Sequence, residues 1–374
     1  MRPGLPDPLI NLLGARWAMG APVVGAAWFG ANGSVAFGLA DGTLAIARAS
    51  RDGAAKLQPR EGGGVELLPA TEPPPPVSRI GVHAGPCRDI AGGVGMVLSG
   101  GADGRLARID ADGEVETLAS LPDMPIERVA IGGGAQACAA GRQVHRFGEA
   151  PGVLDLAGPA MALAFDPVGQ RLAIGCPDGV RLWSPGAADP KLLPGGGTSR
   201  ALAWSADGRA LVSGQEEHSA RGWLLPEGIG VAMGDYAGPP LSLSFSAPGG
   251  FLAASGNPRV VCWHLDPGGG SPRRSECGAG GAVAITQVAC HPTRPLIAAG
   301  YENGAALLCQ PDSAEILFVR AAGGGAVTTL AWSADGAFLA LGAAAGEIGV
   351  VAFPERLFRP LPPAHPTEQR KSAP

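Results

Sequence analysis

Lysine is nearly missing from this chain: Lys56, Lys191 and Lys371 are the only three among 374 residues. No Gly-x-x-x-x-Gly-Lys-Ser/Thr occurs, so a phosphate-cradling loop of the nucleotide-binding kind is excluded. Charged residues of both signs make up only 16%, with a formal net charge of −5. Without a basic stripe to neutralise a phosphate backbone, nucleic acid is not an expected partner. A Gly-x-Ser-x-Gly elbow, which would raise a serine nucleophile above a sheet, is also missing. Gly132-Gly133-Gly134-Ala135-Gln136-Ala137 fits a relaxed dinucleotide fingerprint. It lies between two short strand-like runs with no helix after it, and reads as a Gly-rich turn. No cofactor is expected.

The seven cysteines, Cys87, Cys138, Cys176, Cys262, Cys277, Cys290 and Cys309, are odd in number and scattered. That spacing fits reduced, buried thiols in the cytoplasm and not a disulfide framework. The first twenty residues have an apolar stretch broken by Pro6, Asp7, Pro8, Asn11 and Arg16, which makes a poor export signal. Ala21 to Ala40 holds twenty residues without charge, the length of a membrane span. Asn32-Gly33 divides it into Val23 to Phe29 and Ser34 to Leu39, and Asn-Gly favours a tight hairpin, so two buried strands are expected and no membrane association.

What the chain does have is glycine and proline, 60 and 36 residues, beside a hydrophobic fraction of 46%. Roughly a quarter of the sequence is therefore unfriendly to helix, yet apolar material for a core is ample. Together these predict a turn-rich all-β protein.

A repeat organises it. Leu163-Ala-Phe-Asp-Pro-Val-Gly169, Leu202-Ala-Trp-Ser-Ala-Asp-Gly208, Leu243-Ser-Phe-Ser-Ala-Pro-Gly249 and Leu330-Ala-Trp-Ser-Ala-Asp-Gly336 are copies of one motif. Each precedes a small-apolar run (Leu172 to Gly175, Leu211 to Gly214, Leu252 to Gly256, Leu339 to Gly342) and then a third run (Val180 to Trp183, Ala220 to Trp223, Val260 to Trp263, Ile348 to Val351). The anchors Phe165, Trp204, Phe245 and Trp332 follow a period of about 40 residues, as do Trp183, Trp223 and Trp263. Weaker copies centre on Trp28, Ile90, Ile131 and Cys290. About eight three-strand units result, with seven as the alternative because the first three are degenerate.

In these residues the chain resembles the WD40 repeat family over residues 21–353. The resemblance implies an all-β, WD40-like β-propeller of four-stranded antiparallel blades. The Gly-His dipeptide of the family is missing, His83 following Val82, and Trp-Asp is replaced by Trp183-Ser184, Trp223-Leu224 and Trp263-His264. Ser99, Ser213 and Ser255 occupy the places of the hydroxyl in the family's hydrogen-bond network. The last unit ends at Phe353 after three strands, so residues 1–20, through Ile10 to Met19, are expected to supply the closing strand and hide a bare edge. Residues 49–87, with Gly62-Gly63-Gly64 and the run Pro73 to Pro76, do not fit the period and read as an inserted loop acting as a stiff spacer. Residues 354–374 read as a disordered, Pro-rich tail.

Two clusters are candidates for chemistry. Cys262, His264, Cys277, Cys290 and His291 crowd in sequence and supply weak candidate zinc ligands, with packing as their expected role. Acidic and amide residues recur in the turn between second and third strands (Asp41, Asp103, Asp178, Glu217, Asn257, Glu302, Asn303), a place that also suits tight-turn chemistry. Arg88, Arg128, Arg200 and Gln287 stand where the chain enters each first strand, on the same rim. The resemblance implies a non-catalytic, monomeric scaffold that binds partner proteins or peptides there, through Arg88, Arg128, Arg200, Gln287, Asp103 and Asp178. The rival is a propeller enzyme, a lactonase or hydrolase, with a metal or carboxylate pair at the channel mouth.

Overall fold

The three apolar runs of each unit become three antiparallel strands joined by two tight turns, because both faces of every sheet are covered by neighbours and the strands can be apolar throughout. A computed structural model of the chain describes residues 7–30, 33–51, 55–59, 65–68, 70–266, 270–354 and 357. The described residues form eight four-stranded sheets and one two-stranded ribbon. Eight is therefore the blade number. The blades, innermost strand first, start at Val23–Phe29, Cys87–Gly93, Arg128–Gly132, Ala162–Phe165, Ser199–Trp204, Leu243–Ser246, Ile285–Cys290 and Val327–Trp332. Each first strand packs beside the first strands of the two flanking blades, and the ring closes where the first blade meets the eighth.

Hydrophobic cores lie between blades. Val212, Ala220, Met233 and Tyr236 of the fifth blade, for example, pack against Leu252, Ala254, Val261 and Trp263 of the sixth. Trp183, Trp223 and Trp263 on the third strands are buried there, as their period implies. Their indole N–H groups donate to Ala187 O at 3.2 Å, Pro194 O at 3.0 Å and the Tyr236 hydroxyl at 2.7 Å. Small residues let sheets approach: a Cβ added to Gly342 would lie 2.5 Å from Val23 Cγ1.

The inner ring has its own problem. Each first strand is paired on one edge only, and an unpaired N–H or C=O shielded from water costs about 1–3 kcal/mol. Side chains of neighbouring blades pair many of these groups. Ala26 N donates to Thr329 Oγ1, Val129 N to Asp89 Oδ2, Val288 N to Ser242 Oγ and Cys290 N to Ser244 Oγ, at 2.9–3.0 Å. In the other direction Trp28, Trp204 and Trp332 donate their indole N–H to Ala331 O, Ala164 O and Ala289 O of the preceding blade, at 2.8–3.1 Å. The anchors of the repeat are thus clasps as well as packing.

A second seam runs along the turns between first and second strands. Arg146 holds Gly169 O and Gln170 O, Arg171 holds Gly208 O, and His291 Nε2 meets Gly336 O at 3.1 Å, each reaching into the next blade. Gly336 has φ +70°, and a Cβ there would sit 2.2 Å from His291 Cε1, so the motif's final glycine serves both turn and seam.

Closure comes from the N-terminus but over a shorter stretch than Ile10 to Met19. Leu9–Leu13 is a short helix whose Ile10 and Leu13 are buried, and Gly14–Ala18 is the strand. That strand pairs antiparallel with Glu347–Ala352, from Gly14 opposite Val351 to Ala18 opposite Glu347. Residues 49–87 are not loop throughout: Lys56–Pro59 pairs with Val65–Leu68, and Ser78–Gly81 is the outer strand of the first blade. The insertion thus sits between the third and fourth strands of one blade. Gly62-Gly63-Gly64 and residues 358–374 lie outside the described residues. Ala21 to Ala40 carries the two expected strands, Val23–Phe29 and Ser34–Leu39. Among the described residues no helix is long and apolar enough to cross a membrane.

Removing residues 1–18 bares the edge of Glu347–Ala352 and uncovers the core around Val351 and Phe353. The truncated protein should lose several kcal/mol of stability or associate through that edge. Thermal unfolding with light scattering checks this, and an unchanged melting temperature with a monodisperse particle would contradict it.

Candidate interaction rim

Antiparallel pairing places the leading end of each first strand beside the turn between second and third strands. Cys87 pairs with Gly101, Arg128 with Ala139, and Ser199 with Gln215. Arg88, Arg128, Arg200, Asp103 and Asp178 are therefore on one rim, spread over the second to fifth blades. Gln287 is half-buried on the first strand of the seventh, opposite Gly300.

The arginines differ in what they hold. Arg88 Nε is 3.9 Å from Glu127 Oε1, with both side chains more than two-fifths exposed. Arg200 pairs with Glu216 at similar exposure. Arg128 reaches into the fourth blade, donating Nε–H to Met161 O at 2.7 Å and Nη1–H to Glu127 O at 2.5 Å. Arg88 and Arg200 thus keep guanidinium donors free toward solvent, whereas Arg128 links two blades.

The turn acids are committed within their own blades. Asp178 holds Arg181 through both oxygens at 2.6 and 2.8 Å. The Arg181 hydrogen bonds keep its carboxyl below the usual range. Asp41 pairs with Arg79 and accepts from Thr43. Asp103 accepts Ala84 N and Arg105 N and meets His83 Nδ1 at 3.1 Å. Partial burial works against its ionisation, but these donors prevail and its carboxyl is held low. The same device recurs: Glu217 accepts Thr198 N, and Asn257 accepts Ala237 N. In each case a turn residue ties down the backbone that leads into its blade.

The serines complete the pattern. Ser99 Oγ is 2.8 Å from His83 Nε2, Ser213 Oγ donates to Ser199 Oγ at 2.7 Å, and Ser255 Oγ accepts Ser242 N at 3.0 Å. The second blade therefore has an Asp103–His83–Ser99 relay although no Gly-His dipeptide announces it. His83 was legible only as a departure from the dipeptide; its twenty-residue spacing to Asp103 was the signal.

The five candidate zinc ligands do not converge on one point. Cys290 Sγ donates to Ser244 O, His291 is spent on Gly336 O and lies edge-on to Trp332, and His264 lies tilted against the Phe251 ring at 5.7 Å. Cys262 and Cys277 come together instead with Cys309. Among the described residues no group of three or more His, Cys, Asp or Glu could hold a metal ion. Alternation along the strand turns His291 away from Cys290, whereas Cys262 and His264 share a face and His264 is taken up by the Phe251 ring.

Asp89 was not singled out from the sequence. It is the one carboxylate on the eight first strands. Burial pushes its carboxyl up to about 6, against the N–H groups of Val129 and Ile90 that it accepts.

The His83 side chain is fully shielded. Burial, opposed by Asp103, lowers its affinity for protons below the ordinary imidazole value of 6.5. The unfolded chain then takes up a proton that the folded one refuses, so this stability is full above pH 6.5 and lost as pH falls below it. His83→Gln should lower the melting temperature at pH 7.5 yet flatten its decline between pH 7 and 5.5. An unchanged slope would contradict the relay.

The comparisons with known proteins agree with this geometry. The model of the anaphase-promoting complex subunit 4 WD40 domain matches residues 283–355, the seventh blade and most of the eighth. The sequence matches no curated protein. Among solved structures, the computationally designed Ika8 protein is similar with a TM-score of 0.67 at 18% identity, over 90% of this chain and 98% of that one. Sqt1 from Chaetomium thermophilum is similar with a TM-score of 0.65 at 15% identity, over 90% and 97%. At these identities both speak for the fold alone. The match in the last two blades, the Trp-anchored repeat and the eight-bladed closure together support a WD40-type repeat family.

Proposed function

We propose that the chain is a non-catalytic platform that holds a protein or peptide partner on the rim carrying Arg88 and Arg200. The observation that supports this most is the state of those two guanidiniums: exposed, each in one ion pair, with donors to spare. Exposed ion pairs contribute only about 0.2–1 kcal/mol, so Glu127 and Glu216 yield readily to a partner's carboxylate. A guanidinium in a desolvated contact can be worth about 2 kcal/mol or more. The partner is thus read as a protein segment presenting Asp or Glu side chains, held bidentately. Gln287, Asp103 and Asp178 flank this surface; both acids serve the blades themselves. The matched WD40 domain belongs to a subunit of a multiprotein complex, in keeping with a role in assembly. Seven free thiols go with a reducing, cytoplasmic setting, and a closed ring goes with a monomer.

A lactonase or hydrolase would need several acids converging on the channel. On the first strands Asp89 stands alone, and its oxygens are engaged by backbone N–H groups.

The double variant Arg88→Ala, Arg200→Ala should keep its melting temperature within a few degrees and lose the partner that the wild type captures from lysate. Arg128→Ala, which breaks a link between blades, should lower the melting temperature instead. Retention of the partner at unchanged affinity by the double variant would place the binding surface elsewhere.

A further inference from the structure

Three thiols meet at the seam between the sixth and seventh blades. Cys262 is on Val260–His264, the third strand of the sixth blade, and Cys277 ends its outer strand, Arg273–Cys277. Cys309 ends Ala306–Cys309, the third strand of the seventh. Val260 pairs with Cys277 and Cys262 with Ser275, so the first two thiols are diagonal neighbours on one face. Cys262 Sγ is 4.0 Å from Cys277 Sγ, and Cys277 Sγ is 3.3 Å from Cys309 Sγ. Three of the other four cysteines differ: Cys87 faces Ser99 and Asp89 O, Cys176 faces Ile174 O, and Cys290 faces Ser244.

We propose that Cys277 and Cys309 form an oxidation site, closing under hydroperoxide into a disulfide that joins the sixth blade to the seventh. A disulfide requires about 2.05 Å between sulfurs, so the pair must close by about 1.3 Å. The outer strand can supply that movement. It is held by one neighbour only, and Gly278 follows it at φ +91°. The three thiols are at most 1% exposed, so hydrogen peroxide, small and uncharged, reaches them when this edge strand opens.

Cys277 is the nucleophile. It lies between two thiols that can donate S–H to it, Cys262 and then Cys309, and these hold it below the ordinary thiol range, while its two neighbours are pushed above it. The Cys277 thiolate attacks a peroxide oxygen: the S–O bond forms, the O–O bond breaks, and the departing hydroxide takes a proton from Cys309 to leave as water. The Cys309 thiolate then attacks the sulfenic sulfur, the S–S bond forms, the S–O bond breaks, and the departing hydroxide takes up the proton that Cys277 gave up on ionising and leaves as a second water. Two thiols are oxidised by two electrons and one peroxide is reduced to two waters.

The test uses the full chain, reduced, exposed to hydrogen peroxide, alkylated and cleaved after Glu276, Glu302 and Glu315. Mass spectrometry should find residues 277–302 linked to 303–315, with fragmentation placing the bond on Cys277 and not Cys290. The link should persist in Cys290→Ser and vanish in Cys309→Ser. The oxidised protein should melt at a higher temperature, and a reductant should reverse the shift. A dominant Cys262–Cys277 bond, or Cys277 recovered unlinked in wild type and Cys290→Ser alike, would overturn the proposal.

Discussion

A strand at the centre of a propeller has one paired edge and one edge toward the channel, and that second edge must be satisfied without another strand. Here the neighbours do it. Thr329, Asp89, Ser242 and Ser244 accept N–H groups from the next inner strand, and the indoles of Trp28, Trp204 and Trp332 donate to carbonyls of the preceding one. Each bond contributes only about 1 kcal/mol net, but leaving its partner bare would cost more. The blades are therefore coupled at the axis by hydrogen bonds and farther out by apolar packing. Asp89 belongs to this device, which accounts for the one carboxylate on the inner strands.

The rim inherits its rigidity from the same arrangement. Turn residues Asp103, Glu217 and Asn257 fix the backbone entering their blades, so the first strands begin at defined places and the arginines beside them are presented on a stiff base. On the other rim Arg146, Arg171 and His291 hold the turns of the following blades, and Arg171 also lies 4.7 Å over the Trp204 ring. Charges inside the seams are consumed by structure. Those on the rim, Arg88 and Arg200, stay exposed in single ion pairs.

The sequence showed the inner three strands of a blade well because burial on both faces writes them as apolar runs with an aromatic anchor. Val23–Phe29 and Ser34–Leu39 have the bounds their runs suggest. Outer strands left no such mark. Lys191–Leu192 has two exposed residues, and Val115–Ser120 is half-exposed along its length. Ser78–Gly81 was hidden behind the insertion, and the helix Leu9–Leu13 merged with the closing strand into one apolar stretch. The candidate zinc set failed for a related reason: closeness in sequence did not report which groups each side chain meets, and Cys309, 32 positions beyond Cys277, was invisible as its neighbour.

The claim on which the account turns is that the channel-facing edge of the inner ring is closed by side chains of adjacent blades. Amide hydrogen exchange on the native protein reads this directly at Ala26, Val129, Val288 and Cys290. The account predicts that these four amides exchange as slowly as those of the buried second strands, and that Thr329→Val releases Ala26 alone. Exchange of all four at the rate of exposed turn amides would contradict it.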